Sequence, residues 1–181
     1  MERCRMVFSG SGGQGVITAS IILSEAAVLY DNLNAVQSQS YGAEARGGAT
    51  RADVVLSDSI IHFPKVIQPN VLVCLTQAAY GKFYPIIRPG GVLITDPRFV
   101  QTEKKVDAQQ KEVKMYETIM AEIGKPIVFN ICMRGAVIGL TGLVKPESIM
   151  KSLENRIPAD FLEMNRKALD IGIKLGEAAK N

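Results

Sequence analysis

Tryptophan is absent from this chain, histidine occurs once, and cysteine occurs three times in 181 residues. Without Trp, the core has to be assembled from Val, Ile, Leu and Ala, which supply most of an apolar content of 47%. No CxxC pair occurs, so zinc and iron–sulfur clusters have no ligand set here. Cys4, Cys74 and Cys132 lie far apart in apolar surroundings and read as buried thiols of a reducing cytoplasm. Polar residues or glycines break every apolar run before the roughly 18 residues of a membrane span, so no membrane association is expected. Met1 to Phe8 leads into a glycine loop, where a secretory signal would need an apolar stretch and a cleavage site. An excess of one charge is also missing. Lys and Arg total 21 against 18 acids, the net charge of +3 is scattered, and nucleic acid is not an expected partner.

What the chain does have is punctuated order. Its length suits one compact domain, residues 1–181. Arg3 to Phe8 reads as a buried strand, Gly10 to Gly15 as a tight turn and Val16 to Tyr30 as a helix, the opening of a nucleotide-binding βαβ unit. Asn34 to Gln39 reads as a second strand. Thr50 to Leu56 and Ile60 to Phe63, around Ser57-Asp58-Ser59, read as a hairpin. Asn70 to Leu75 and Val92 to Thr95 are expected as strands flanking a helix, Gln77 to Ile87. Pro97 to Lys114 is polar and charged, at best a weak strand within a loop. Helices are expected over Tyr116–Ile123, Met133–Leu143, from Pro146, and over Ala159–Ala179, with a strand at Ile127–Asn130. The sum is an α/β fold: a three-layer sandwich around a mostly parallel, Rossmann-like sheet, with an inserted β-hairpin.

The segment "GSGGQG" gives the spacing Gly10-x-Gly12-x-x-Gly15. Glycines let the backbone turn sharply and approach a ligand, and the amides at the start of the following helix attract an anion. The same spacing also serves a plain turn that packs a helix on a strand. A dinucleotide site needs an acid at the end of the second strand for the ribose hydroxyls. None stands there: Asp31 precedes that strand and Glu44 lies in the loop beyond. A phosphate-bearing ligand other than NAD fits better, and the Gln14 amide can both donate and accept at the helix entry.

A second loop, Ser40-Tyr41-Gly42-Ala43-Glu44-Ala45-Arg46-Gly47-Gly48, follows the second strand and opens on the same sheet edge. Arg46 offers a fork of donors for phosphate or carboxylate, and Tyr41 a ring to stack with a polar tip. Arg46 and Glu44 can equally pair with each other at the surface. Gln77, at the start of a helix after the third parallel strand, is within reach of the same cleft, while Thr76 reads as a cap for that helix or as a cleft group. Gly135, Ala136, Gly139 and Gly142 form a small-residue helix face for close packing against the sheet or another subunit. The single histidine, His62, reads as structural, and no catalytic residue or metal ligand is assigned.

Four motifs in order, "GSGGQG", "SYGAEARGG", "LTQAAYGKFYPIIRPGGVLITD" and "NICMRGAVIGLTGL", resemble the gamma subunit of the 2-oxoacid:ferredoxin (acceptor) oxidoreductases, from about Arg3 to Leu143. The loop ending in Glu44-Ala45-Arg46-Gly47-Gly48 is most similar to the 2-oxoglutarate branch. Ala43 stands where Pro is expected, and Arg134 where Leu is expected. The resemblance implies a subunit, inactive alone, of an enzyme that decarboxylates a 2-oxo acid oxidatively to its acyl-coenzyme A and passes electrons to ferredoxin. It implies thiamine diphosphate with Mg and iron–sulfur clusters on thiamine-binding and ferredoxin-like partner chains, and coenzyme A contacted in part by this chain. The residues assigned to the shared site are Gly10, Gly12, Gly13, Gln14, Gly15, Ser40, Tyr41, Arg46, Gly47, Gly48 and Gln77. A non-catalytic assembly scaffold and a free-standing dinucleotide-binding oxidoreductase are the alternatives, and whether the isolated chain forms a homodimer is left open.

Overall fold

The apolar runs become a six-stranded sheet in this computed structural model, which describes residues 3–40, 49–103 and 105–180. Strands β1 (Cys4–Gly10), β2 (Asn34–Gln39), β3 (Thr50–Ser57), β4 (Val71–Cys74), β5 (Gly91–Thr95) and β6 (Ala108–Glu112) lie in the order β2-β3-β1-β4-β5-β6. β1, β4, β5 and β6 pair in parallel, whereas β3 is antiparallel to both β1 and β2. β2 therefore runs the same way as β1. All strands but β3 bring their carboxyl ends to one edge, where Gly10 pairs with Thr50 at the start of β3.

The helices are α1 (Val16–Tyr30), α2 (Gln77–Phe83), α3 (Met115–Glu122), α4 (Phe129–Thr141), α5 (Pro146–Glu154) and α6 (Leu162–Ala178). Successive strand residues point to opposite faces. Met6, Phe8, Val54, Val73 and Ile94 enter a core with α1, α4, α5 and α6, while Val7, Val55, Leu72 and Leu93 meet Ala79, Tyr80 and Phe83 of α2. Burial on both faces explains why the inner strands read as unbroken apolar runs. Each such side chain, fully buried, contributes about 1.5–3 kcal/mol relative to exposure. The result is a three-layer sandwich with a mostly parallel sheet. Among the described residues no helix is long and apolar enough to cross a membrane.

The antiparallel hairpin is present but is built from β2 and β3, not from Thr50–Leu56 and Ile60–Phe63. β3 already has β2 on one side and β1 on the other, so a returning strand finds no free edge. Residues 60–63 are irregular, with Ile60, His62 and Phe63 exposed. The expected strand at Ile127–Asn130 is instead a 3-10 turn, Pro126–Val128, running into α4. Pro126 opens that turn because its missing N–H has no partner to lose there. The polar stretch 97–114 does contain a strand, β6, at the far edge of the sheet.

Helices α4 and α6 touch backbone to backbone. A methyl group added to Gly135 would lie 2.3 Å from the Leu169 carbonyl oxygen, and one on Gly139 2.4 Å from that of Ile173. On α6, a methyl at Gly172 would lie 2.0 Å from the Cys132 oxygen, and one at Gly176 2.3 Å from the Ala136 oxygen. Gly135 and Gly139 of the expected small-residue face thus pack inside this chain, against two glycines of α6 at matching helical spacing, while Gly142 instead ends α4 at φ +65°. Asp31, at the end of α1, accepts hydrogen bonds from the Lys145 N–H (2.8 Å) and the Ser148 hydroxyl (2.7 Å), anchoring the start of α5.

The three cysteines are free and buried. Burial pushes the Cys4 thiol up to about 11, and those of Cys74 and Cys132 up to about 12. The thiolate is the reactive species, so these thiols are inert in the fold. Incubation of the native protein with an aromatic disulfide reagent at pH 7 is expected to release almost no thiolate until denaturant is added. Rapid labelling without denaturant would refute this burial.

Candidate functional site

The glycine turn joins β1 to α1. Gly13 and Gly15 have φ of +91° and +72°, the left-handed region where a side chain is strained. The Gln14 side chain folds back as a brace: its Oε1 accepts from the Ser11 N–H (2.8 Å) and its Nε2 donates to the Leu75 carbonyl (3.1 Å). Gly10 makes room for this, since a methyl there would lie 2.5 Å from Gln14 Oε1.

Among the described residues no side chain caps the start of α1, and no acid stands in its first turn. α4 also lacks a side-chain cap and a first-turn acid, but its Phe129 N–H already donates to the Pro126 carbonyl of the preceding 3-10 turn. The N–H groups that open a helix have no partner within it and carry the positive end of its dipole. The start of α1 and, through Asn130, the first turn of α4 border one cleft of about 570 Å³, lined by Ser11, Gly12, Gly13, Gly15, Thr18, Ser40, Thr50 and Asn130, with Val16 and Ile17. No carboxylate is among these described lining residues. The backbone amides of the glycine turn, the hydroxyls and the uncapped start of α1 suit this cleft to an anion.

Of the residues expected from sequence, Gly12, Gly13, Gly15 and Ser40 come together in this cleft. Ser40 is held there by its N–H, which donates to the Arg51 carbonyl (3.1 Å). Gly10 and Gln14 lie outside the lining and act as supports. Gln77 does not reach the cleft. Its Oε1 accepts from the Gln101 N–H (2.8 Å) and its Nε2 donates to the Gln101 carbonyl (3.2 Å), which ties α2 to the segment after β5. Thr76 caps α2 by accepting from the Ala79 N–H (3.1 Å). Tyr41, Arg46, Gly47 and Gly48 fall outside the described residues.

Thr18, Thr50 and Asn130 are cleft residues that sequence reasoning missed. Asn130 is in the first turn of α4 and abuts Gly15, where a methyl would lie 2.5 Å from its Nδ2. One turn on, Arg134 is only 1% exposed and donates from Nη2 to Asn130 Oδ1 (2.9 Å) and from Nε to the Asn130 carbonyl (3.3 Å). The spacing of four on a helix was the available signal. A further buried acid, Asp96 at the end of β5, stands apart from the cleft. Burial raises its carboxyl above the usual range, against hydrogen bonds from the Tyr116 and Arg98 N–H groups.

A family model described as pyruvate ferredoxin/flavodoxin oxidoreductase matches residues 5–175. The 2-oxoglutarate synthase subunit KorC of Methanocaldococcus jannaschii is 46% identical over 171 residues, which is 93% of this chain and 91% of that protein. The solved gamma subunit of keto/oxoacid ferredoxin oxidoreductase from Geobacter sulfurreducens matches with a TM-score of 0.91 at 39% identity, over 100% of both chains. A likeness of fold extends to the 2-oxoglutarate:ferredoxin oxidoreductase of Magnetococcus marinus with 2-oxoglutarate, coenzyme A and succinyl-CoA bound. That likeness has a TM-score of 0.88 at 20% identity, over 98% of this chain and 32% of that one. With a matching family model over nearly its whole length and a gamma-subunit fold, this chain belongs to the pyruvate ferredoxin/flavodoxin oxidoreductase family, as the gamma-type subunit of an enzyme complex.

Proposed function

We propose that this chain, a single gamma-type domain, serves a cytoplasmic 2-oxoglutarate:ferredoxin oxidoreductase and that its glycine-loop cleft receives a phosphate group of coenzyme A. The complex converts 2-oxoglutarate and coenzyme A to succinyl-CoA and carbon dioxide, with the electrons passing to ferredoxin. Thiamine diphosphate with Mg²⁺ and the iron–sulfur clusters belong to thiamine-binding and ferredoxin-like partner chains. Those groups carry the bond-breaking chemistry, and a subunit of this kind contributes position and field.

The observation that carries this reading is the cleft itself, in which the uncapped start of α1, Gly12, Gly13 and Gly15 meet Asn130 of α4 with no carboxylate among the described lining. An NAD ribose would need an acid beside it. Arg46 and Tyr41, which follow Ser40 in the sequence, are assigned to anchoring or gating coenzyme A.

Co-expression with the partner subunits and anaerobic assay tests both halves. Among 2-oxoglutarate, pyruvate and 2-oxoisovalerate, the first is expected to give the fastest coenzyme A-dependent dye reduction. Arg46→Ala is expected to raise the KM for coenzyme A about tenfold or more, the loss of one charge-assisted contact, while leaving decarboxylation-driven dye reduction in place. An unchanged coenzyme A dependence would remove Arg46 from this role, and a preference for pyruvate would overturn the branch assignment.

A further inference from the structure

Arg134 is a buried cation with no anion bonded to it among the described residues. Its Nε and Nη2 are bound to Asn130, but Nη1 is buried and meets no partner among the described residues. Burial first, and the field of Arg156 second, pull the guanidinium down to about 9, so it stays protonated at neutral pH. Arg156 is itself paired with Glu25. A buried charge with only a neutral partner is costly, and Leu at this position would pack without that cost.

The charge has one clear structural consequence. A guanidinium can only donate, so the oxygen of the Asn130 amide must face Arg134, and Nδ2 must face the other way. Nδ2 is the atom lying against Gly15 at the wall of the cleft. A flipped amide would set its NH₂ against the Nη2 donor of Arg134, so the orientation is held by that one bond, while Nε binds the Asn130 backbone carbonyl.

We propose that Asn130 Nδ2 is an anion-binding donor of the glycine-loop cleft and that Arg134 is its positioning residue. Arg134 fixes the amide orientation and sets a positive charge behind it. This rests on the reading of the cleft as the coenzyme A phosphate site and adds to it two residues outside the glycine loop. The anion it selects is a phosphate or diphosphate ester, bound by backbone N–H groups on one side and a side-chain amide on the other.

Arg134→Leu separates positioning from mere space filling. Space filling expects Leu to be as stable as Arg or more so, with no change in ligand affinity. Positioning expects equal or higher thermal stability together with weaker binding. In the assembled complex, the KM for coenzyme A should rise about tenfold for Asn130→Ala and severalfold for Arg134→Leu, with kcat at saturating coenzyme A little changed. Arg134→Gln, which can still donate to Asn130 Oδ1, should recover part of the loss. Should the Leu variant not fold, Arg134→Met is read in the same way.

Titration of the full-length wild-type chain with inorganic pyrophosphate, followed through the Asn130 side-chain amide by NMR, supplies a readout that needs no variant. That NH₂ pair should shift, and in Arg134→Leu it should shift less. Loss of affinity in Asn130→Ala with none in Arg134→Leu would overturn the positioning role. Wild-type affinity in both variants would overturn the inference and leave the cleft reading standing. A folded wild type that shows neither pyrophosphate binding nor a saturable coenzyme A dependence would overturn both.

Discussion

Gly172→Ala is expected to destabilise the protein by about 3 kcal/mol or more, a large part of the roughly 5–15 kcal/mol that holds a domain together. The added methyl would lie 2.0 Å from the Cys132 carbonyl oxygen, 2.8 Å from its carbon and 2.9 Å from the Ala136 nitrogen. All of these are backbone atoms of α4, so no rotamer change relieves the contact. α6 would have to move away, and Gly135, Gly139 and Gly176 would lose the same close approach together. Gly81→Ala is the control. Gly81 is exposed within α2, has no atom within 4 Å of the added methyl, and does not need a left-handed backbone. That change should stabilise by about 0.5–1 kcal/mol through helix propensity. Urea denaturation of both variants checks the pair, and a loss below about 0.5 kcal/mol for Gly172→Ala would mean that the interface is not tightly packed.

The parts of this fold legible in the sequence are those where local pattern and tertiary environment agree. α1 and β2 fall at the expected boundaries, because a glycine turn opens the first and Asp31 and Asn32 precede the second. β6 was underestimated because an edge strand has one neighbour and little buried face; AQQKE shows neither an apolar run nor strict alternation. The run Ile127-Val128-Phe129 carries strand-like side chains, yet Pro126 and the burial of Val128 and Phe129 decide for a helical turn. Gly172 and Gly176 gave no signal, since a glycine pair in a helix has meaning only once its partner helix is known. In the site, the glycine spacing and the return of Ser40 to the same edge were readable from motif and strand direction. Gln14 and Gln77 are harder to place from sequence because a side-chain amide has donors and acceptors for anything, and here backbone groups of Ser11, Leu75 and Gln101 take them.

Gly15→Ala is expected to be the most damaging small change to the site. Two penalties meet at that residue. An alanine at φ +72° costs about 1–2 kcal/mol of backbone strain, and its methyl would lie 2.5 Å from Asn130 Nδ2 and 3.0 Å from Asn130 Cβ. The second penalty is the functional one. Asn130 is held from behind by Arg134, so it cannot retreat without breaking that grip. Gly13→Ala isolates the first penalty, because its φ of +91° is strained while nothing lies within 4 Å of the methyl. Both variants should lose stability, Gly15→Ala the more because its methyl also displaces Asn130, and in the complex the KM for coenzyme A should rise more than tenfold for Gly15→Ala and distinctly less for Gly13→Ala. Equal effects would mean that turn strain alone governs the cleft. A larger effect at Gly15 would mean that the glycine there keeps space for an amide, and that the loop and the start of α4 act as one binding surface.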